Sequence, residues 1–340
     1  MIKNILVTGG AGYIGSHIIE ILIKKNKKIF IVDNLSTGYK KLINKKAIFY
    51  KLDILNTKKL KKIIIQNNID SIIHLAANLV IGEGEKNPKK YFKNNVIGTK
   101  SVLKAIEKTK VRNLLFSSTA AVYREGIYRV TENSPTKPKS VYGKTKLNAE
   151  NLIKKHCKKF KLNFAILRYF NIVGASPSGK IGLINTSDHL FKNFAIQTIK
   201  NKPKFKIYGV DYNTPDGSCV RDFIHVSDIA EIHLKLLDKI NKETKSLIIN
   251  CGYNRGISVL EVAKEFQRQC NKKINIIKSS KRKGDLGKII ASNNKLKKFI
   301  KWKPKHNKLS FIVKSCIDWE KNREKNSTTK TIKRVRCKII

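Results

Sequence analysis

The sequence predicts an α/β protein: a doubly wound parallel sheet followed by a smaller mixed α/β unit. Three observations carry this. β-Branched runs alternate with helical patterns as far as about residue 172, a glycine-rich turn joins the first run to the first helix, and the rhythm loosens beyond Val173. Strands alternating with helices of this length call for right-handed crossovers and hence parallel pairing.

Lys3 to Thr8 reads as a short buried strand, and apolar periodicity marks a helix from Ile14 to Ile23. Strands follow at Lys28 to Val32, Ala47 to Leu52, Ser71 to Leu75, Asn113 to Ser117 and Asn163 to Tyr169. Helices fall between them at Thr57 to Gln66, Pro88 to about Glu107, and Ser140 to Phe160. In the second half, Gly174 to Gly182 and Tyr208 to Gly217 read as loops flanking a helical stretch, Leu190 to Lys200. Further helices are expected near Ser227 to Leu237 and Val259 to Gln269, with a strand near Leu247 to Asn250. The expected organisation is one unit over residues 1–172, a second over 173–324, and a disordered basic tail over 325–340.

Gly9, Gly12 and Gly15 stand between the first strand and the first helix, spaced Gly-x-x-Gly-x-x-Gly. Such a turn brings backbone close to a pyrophosphate, and the helix start offers it N–H groups and a positive dipole end. The second strand ends at Asp33. A carboxylate about 20 residues past the glycines suits a ribose 2′-hydroxyl and repels a 2′-phosphate. This is the pattern of a Rossmann-type unit, and it favours NAD over NADP.

Downstream, Tyr142-Gly143-Lys144-Thr145-Lys146 sets a tyrosine and a lysine on one helix face, a turn apart. A phenol with its ordinary pKa of about 10 needs a nearby cation to act as a base near neutrality. Lys146 is placed to supply it. Tyr-x-x-x-Lys is common by chance, but behind a nucleotide loop it reads as a catalytic pair.

The 340 residues suffice for a large core, and 41% are hydrophobic. Lys and Arg number 72 against 24 Asp and Glu, a net charge of +48. The lysines are spread along the whole chain and accompanied by abundant Ile and Asn, a pattern of A/T-rich coding. A nucleic-acid binder would cluster them in stripes with aromatics, and only Lys330 to Lys338 resembles such a cluster. The charge should still draw in anionic ligands, less so in salt. The six cysteines lie far apart with no Cys-x-x-Cys pair, so neither a metal site nor a disulfide framework is expected. The chain enters a strand at once, without a signal peptide, and no uncharged apolar run approaches the ~20 residues of a membrane span. A cytoplasmic protein is expected.

The strings TGGAGYIGSH (Thr8 to His17), DNLSTG (Asp33 to Gly38), NNVIGT (Asn94 to Thr99), FSSTAAVY (Phe116 to Tyr123), YGKTKL (Tyr142 to Leu147), RYFN (Arg168 to Asn171) and DYNTPDGSCVRDFIHVSDIA (Asp211 to Ala230) go further. Through them the chain resembles the extended short-chain dehydrogenase/reductase family, from Ile2 to about Trp319. Within it, the likeness is to the branch that epimerises UDP-hexoses at C4. The resemblance implies interconversion of UDP-glucose and UDP-galactose with tightly held NAD. Tyr142 would take the proton of the sugar 4-hydroxyl. Lys146 would depress the tyrosine's pKa and hold the nicotinamide ribose, and Thr119 would bond the sugar oxygen. Cofactor contacts are implied at Gly9, Gly12, Tyr13, Ile14, Gly15, Asp33, Asn34, Asp53, Ile54, Asn95 and Tyr169. On the substrate side, Arg221 and Arg282 match diphosphate-binding arginines, Asn171 a diphosphate-contacting amide, Asp285 a ribose-binding acid and Tyr208 the aromatic that stacks on uracil. His189 and Leu190 complete that set. A homodimer formed through the helices at 88–107 and 140–160 is also implied.

The chain departs from this pattern at several points. Arg124 replaces a glycine, Lys192 stands where His-Leu-x-Pro has its proline, and the loop from Gly182 to Asp188 has lost its acidic character. Ile289 occupies the position linked to bulk at the sugar C2, and a residue smaller than tyrosine there leaves an N-acetyl sugar as an alternative substrate. A uronate epimerase, a decarboxylase and a non-catalytic NAD-binding protein are further alternatives, although the last class tends to lose the tyrosine or lysine. A 4,6-dehydratase would need an Asp-Glu pair where Ala120 and Ala121 stand.

Overall fold

The computed structural model describes residues 2–185, 189–281 and 287–336, with side chains as far as Lys325. The first half runs β1 (Asn4–Thr8), α1 (Tyr13–Lys24), β2 (Lys28–Asp33), β3 (Ile48–Lys51), α2 (Thr57–Gln66), β4 (Ser71–His74) and α3 (Ile81–Lys86). It continues with α4 (Pro88–Tyr91), α5 (Gly98–Ile106), β5 (Asn113–Thr119), β6 (Arg129–Val130), α6 (Val141–Phe160) and β7 (Asn163–Tyr169). The single helix expected over 88–107 is interrupted. A wide π turn, Phe92–Ile97, joins α4 to α5 and holds Asn95 buried. The short α3, with two glycines, gave no periodic signal.

The second half comprises β8 (Asn171–Val173), α7 (Leu190–Thr198), β9 (Lys204–Tyr208), β10 (Val220–Arg221), β11 (Phe223–His225), α8 (Val226–Glu243) and β12 (Leu247–Cys251). Then come β13 (Ile257–Ser258), α9 (Val259–Cys270), β14 (Asn275–Ser279), β15 (Lys288–Ala291), α10 (Asn294–Ile300) and α11 (Leu309–Arg336).

The central sheet has seven strands in the order β12-β7-β5-β4-β1-β2-β3. All its pairings are parallel. Strand side chains alternate between two cores, as the period of a strand requires. Ile5, Val7 and Ile31 pack with α1 and α8, while Leu6, Phe30 and Val32 pack with α2, α5 and α6. Both faces are therefore covered, which explains the continuous apolar runs. The strand order reverses between β1 and β4, and the crevice at the carboxyl ends of such strands is where ligands bind.

The second lobe packs α7, α9 and α11 around Phe191, Phe194, Phe205 and Phe266, with β9 and β14 as a parallel pair. The partition expected at residue 173 is crossed twice. β12 leaves the second half to pair with β7, and α8 covers the same sheet, because their apolar residues complete the first core. At the far end α11 runs to Arg336, through the stretch expected to fray; no glycine or proline falls within it. No helix among the described residues is long and apolar enough to cross a membrane.

Candidate active site

A cleft of about 720 Å³ opens at the strand-order reversal and extends to the second lobe. Its walls bring together the glycine turn, Asp33, Thr119, Tyr142, Lys146 and Arg221.

At the nucleotide end, α1 starts at Gly12 with no side-chain cap and no acidic residue in its first turn. The first N–H groups, from Tyr13, Ile14 and Gly15, are thus left for an anion. A Cβ on Gly15 would stand 2.6 Å from the Gly9 carbonyl oxygen, so only glycine fits that close turn. The Asp33 carboxylate accepts from the amides of Ala11 at 3.0 Å and Leu35 at 2.8 Å. Burial nevertheless raises its pKa. Asn34 and Ile54 also line the cleft. A bare helix start and a carboxylate at the end of β2, on one cleft, are the donor and acceptor that the diphosphate and ribose of NAD require.

Two expected cofactor residues, Asp53 and Asn95, are not among those lining the cleft. Asp53 lies behind the wall, where its oxygens accept from Asn34 Nδ2 at 3.0 Å and the Leu55 amide at 2.8 Å. It orients Asn34. Asn95 is 2% exposed, and its side chain is occupied by Asn78 and Thr145. Tyr169 does line the cleft, with its hydroxyl 2.7 Å from His233 Nε2.

The catalytic corner depends on a glycine that composition alone did not single out. A Cβ on Gly143 would lie 2.4 Å from the Ala121 carbonyl oxygen. Its absence lets α6 settle on the turn that follows β5. Ser140 caps the helix by accepting from the Gly143 amide at 3.1 Å. Tyr142 and Thr119 then line the same cleft, where the Thr119 hydroxyl acts to lower the phenol's pKa. Lys146 Nζ lies 3.4 Å from Ser117 Oγ and 4.3 Å from the Phe116 ring centre.

The electrostatics correct one expectation. Burial pushes Tyr142 up to about 12, against the smaller pull of the Thr119 hydroxyl. Burial pushes Lys146 down to about 7, partly opposed by the Glu150 carboxylate. Desolvation therefore outweighs the attraction expected within the pair.

Asn171, His189, Leu190, Tyr208 and Arg221 line the substrate end. Arg221 Nη1 donates to the Val220 carbonyl at 3.0 Å. His189 Nε2 donates to the Ile172 carbonyl at 2.9 Å, and burial keeps the ring neutral by lowering its pKa. Tyr13 spans the two ends: its hydroxyl donates to the Gly174 carbonyl at 2.6 Å, and its ring meets that of His189 edge-on. Arg282 and Asp285 lie outside the described residues, as do residues 186–188. Lys192 points away from the cleft. It pairs with Glu320 and donates to the Leu183 carbonyl at 2.9 Å, tying α7 to α11. Ile289 is buried with Tyr123 and Phe170 and is not among the lining residues. Lys204 and Lys206 line the cleft and were missed, although they alternate with Tyr208 on one face of β9.

Comparison with known proteins agrees with this geometry. The family model described as the NAD-dependent epimerase/dehydratase family matches residues 5–252. A UDP-glucose 4-epimerase of Dictyostelium discoideum is 39% identical over 316 residues, covering 89% of this chain and 92% of its own. One from Azospirillum brasilense is 34% identical over 326 residues, covering 95% and 93%. The crystal structure of a UDP-glucose 4-epimerase from Stenotrophomonas maltophila, with bound NAD and formylated UDP-arabinopyranose, superposes with a TM-score of 0.91. It is 31% identical, over 95% of this chain and 99% of that one. With the glycine turn, the acid at the end of β2 and the Thr119–Tyr142–Lys146 corner all on one cleft, the chain belongs to the NAD-dependent epimerase/dehydratase family.

Proposed function

We propose that the protein interconverts UDP-glucose and UDP-galactose by transient oxidation at sugar C4, with NAD retained through the cycle. The observation that carries this reading is the shared cleft. The phenol of Tyr142, with Thr119 beside it, lies on the same cavity as the uncapped start of α1 and Arg221.

Bound along the glycine turn, NAD supplies a positively charged nicotinamide that accepts a hydride and returns it. Asp33 takes the adenosine ribose hydroxyls, and the first amides of α1 take the diphosphate. Lys146 donates to the second ribose. Arg221 and Asn171 hold the diphosphate of the sugar nucleotide, with Tyr208 against its base. Tyr142, whose own proton leaves to solvent beside the added charge, accepts as the phenolate the proton of the 4-hydroxyl as C4 is oxidised and gives it back after the flat ketone has turned over. Thr119 bonds the same oxygen and favours the phenolate. Ala120 and Ala121 offer no acid or base for eliminating water, which disfavours a dehydratase.

A homodimer through the stretch from α4 to α5 and through α6 belongs to the same proposal. Phe92 and Ile97, at the two ends of the π turn between α4 and α5, are 46% and 41% exposed, apolar surface that such a contact would cover.

The test is conversion of UDP-galactose to UDP-glucose by the purified protein and by its Tyr142→Phe variant. Turnover by the first and not the second supports the reading. No turnover with NAD supplied sinks it.

A further inference from the structure

Beneath the catalytic corner lies a chain of buried hydrogen bonds that the mechanism above does not use. Thr8 Oγ1 is 2.7 Å from His74 Nδ1, and His74 Nε2 is 3.0 Å from Thr99 Oγ1. The Thr99 hydroxyl donates to the Asn95 carbonyl at 2.6 Å. Asn95 Nδ2 donates to Thr145 Oγ1 at 3.0 Å, and the Thr145 hydroxyl donates to the Tyr142 carbonyl at 2.8 Å. Every side chain in this series is less than 5% exposed.

The donor directions follow from the end of the chain. The single proton of Thr99 is committed to the Asn95 carbonyl, so its oxygen can only accept from the histidine. Nε2 of His74 therefore carries the proton, and Nδ1 accepts from Thr8. Each member points its proton toward Tyr142. Thr8 ends β1, immediately before the glycine turn, so the series joins the nucleotide-binding strand to the tyrosine's helical turn. A second branch leaves the same residue. Ser117 donates to the His74 carbonyl at 3.2 Å and accepts from Lys146 Nζ at 3.4 Å.

Resting on the function proposed above, we infer that His74 is a positioning residue for the C4 oxidation. Its imidazole holds Thr99, and through Asn95 and Thr145 fixes the first turn of α6 and the phenol of Tyr142. Asn95 at the same time grips the cleft-lining Asn78, accepting from its amide at 2.8 Å and donating to its carbonyl at 2.9 Å. The tyrosine and this part of the cleft wall thus share one anchor. The Lys146 branch runs through the backbone of residue 74 and does not depend on the side chain.

Two variants separate the ends of the imidazole. His74→Gln keeps a donor at the place of Nε2 and loses the acceptor for Thr8; His74→Asn keeps the acceptor and loses the donor. The measurement is kcat and KM for UDP-galactose, beside the melting temperature and the NAD content. Displacing a catalytic group by a fraction of an ångström to 1 Å costs about 10- to 100-fold. His74→Asn should lose that much kcat with KM and NAD content held, while His74→Gln retains most of it. Equal kcat in the two variants would overturn the inference, whether both follow the loss in melting temperature or both match the parent. If the parent protein itself fails to turn over UDP-galactose, the proposed function falls and hydrogen exchange over residues 140–146 decides the inference. Faster exchange there in His74→Asn than in His74→Gln supports it, and equal exchange overturns it.

Discussion

Arg168 grips Glu150 with two hydrogen bonds, Nε to Oε1 at 3.0 Å and Nη2 to Oε2 at 2.7 Å, and both side chains are buried. Glu150 lies one helical turn beyond Lys146 on α6, and Arg168 lies on β7. One pair therefore fastens the catalytic helix to the sheet. It also supplies the anion that keeps the Lys146 ammonium from losing its charge more completely. Removing one partner of a buried pair leaves an uncompensated charge and costs about 3–5 kcal/mol. Glu150→Gln should lose that much in urea unfolding. A loss below about 1 kcal/mol, the range of a surface pair, would contradict this.

Tyr142→Phe removes the hydroxyl that moves the proton and leaves the ring. Turnover should fall by about 10²- to 10⁴-fold, as for other general bases. NAD should be retained, since the glycine turn is untouched. Thr119→Val deletes a hydrogen bond to a group that becomes charged, worth about 1.5–3 kcal/mol or roughly 10- to 100-fold. Steady-state kinetics on both variants checks the order of the two effects.

Gly15→Ala tests the nucleotide loop. The added carbon would lie 2.6 Å from the Gly9 oxygen and 2.8 Å from the Gly10 Cα, both backbone atoms that cannot turn aside. The variant should purify with much less NAD than the parent protein. Absorbance of the cofactor released on denaturation measures this directly, and parental NAD content would contradict the loop's assigned role.

Stability should fall as the medium is acidified below neutrality. Burial holds His74 and His225 down at about 3, and His17 and His233 at about 4. An unfolded histidine titrates at about 6.5. Between that pH and 4 the unfolded chain binds protons that the native protein refuses, so unfolding gains up to about 1.4 kcal/mol per pH unit for each such group. Asp222 works the other way. Burial raises it to about 6, so the native state holds its proton over part of the same window. His189 is lowered in the same way and Asp33 raised, so the lowered histidines outnumber the raised carboxyls and the net is a loss. Melting temperatures between pH 7 and pH 4.5 should decline steadily, and a flat or rising profile would contradict the assignment of neutral buried histidines.

The local parts of this architecture were legible in the sequence. The glycine spacing, the acid closing β2 and the Tyr142–Lys146 interval are short-range signals, each written within a few residues, and the two-core alternation of β1 and β2 follows from their apolar runs. What was not legible depends on partners far apart in the chain. Nothing in Leu247 to Cys251 announces that it will pair with β7 rather than stay in the second lobe. The resemblance implied a cofactor contact at Asn95, whose side chain instead pairs with Asn78 and Thr145. Lys192 read as a substitution near the substrate, whereas its ion-pair partner Glu320 is 128 positions away. The burial that raises Tyr142 and lowers Lys146 was not legible for the same reason. Spacing gives the attraction between two groups, but burial is a property of the whole fold.

The most direct test is to incubate the purified protein, with no NAD added, with UDP-galactose in D₂O and follow C4 of the sugar by ¹H NMR. Hydride that leaves C4 and returns inside a closed cleft does not exchange with solvent. The expected result is UDP-glucose that retains its C4 proton, formed by the parent protein and not by Tyr142→Phe. Deuterium at C4, or no UDP-glucose even after NAD is supplied, would contradict oxidation at C4 by a retained cofactor.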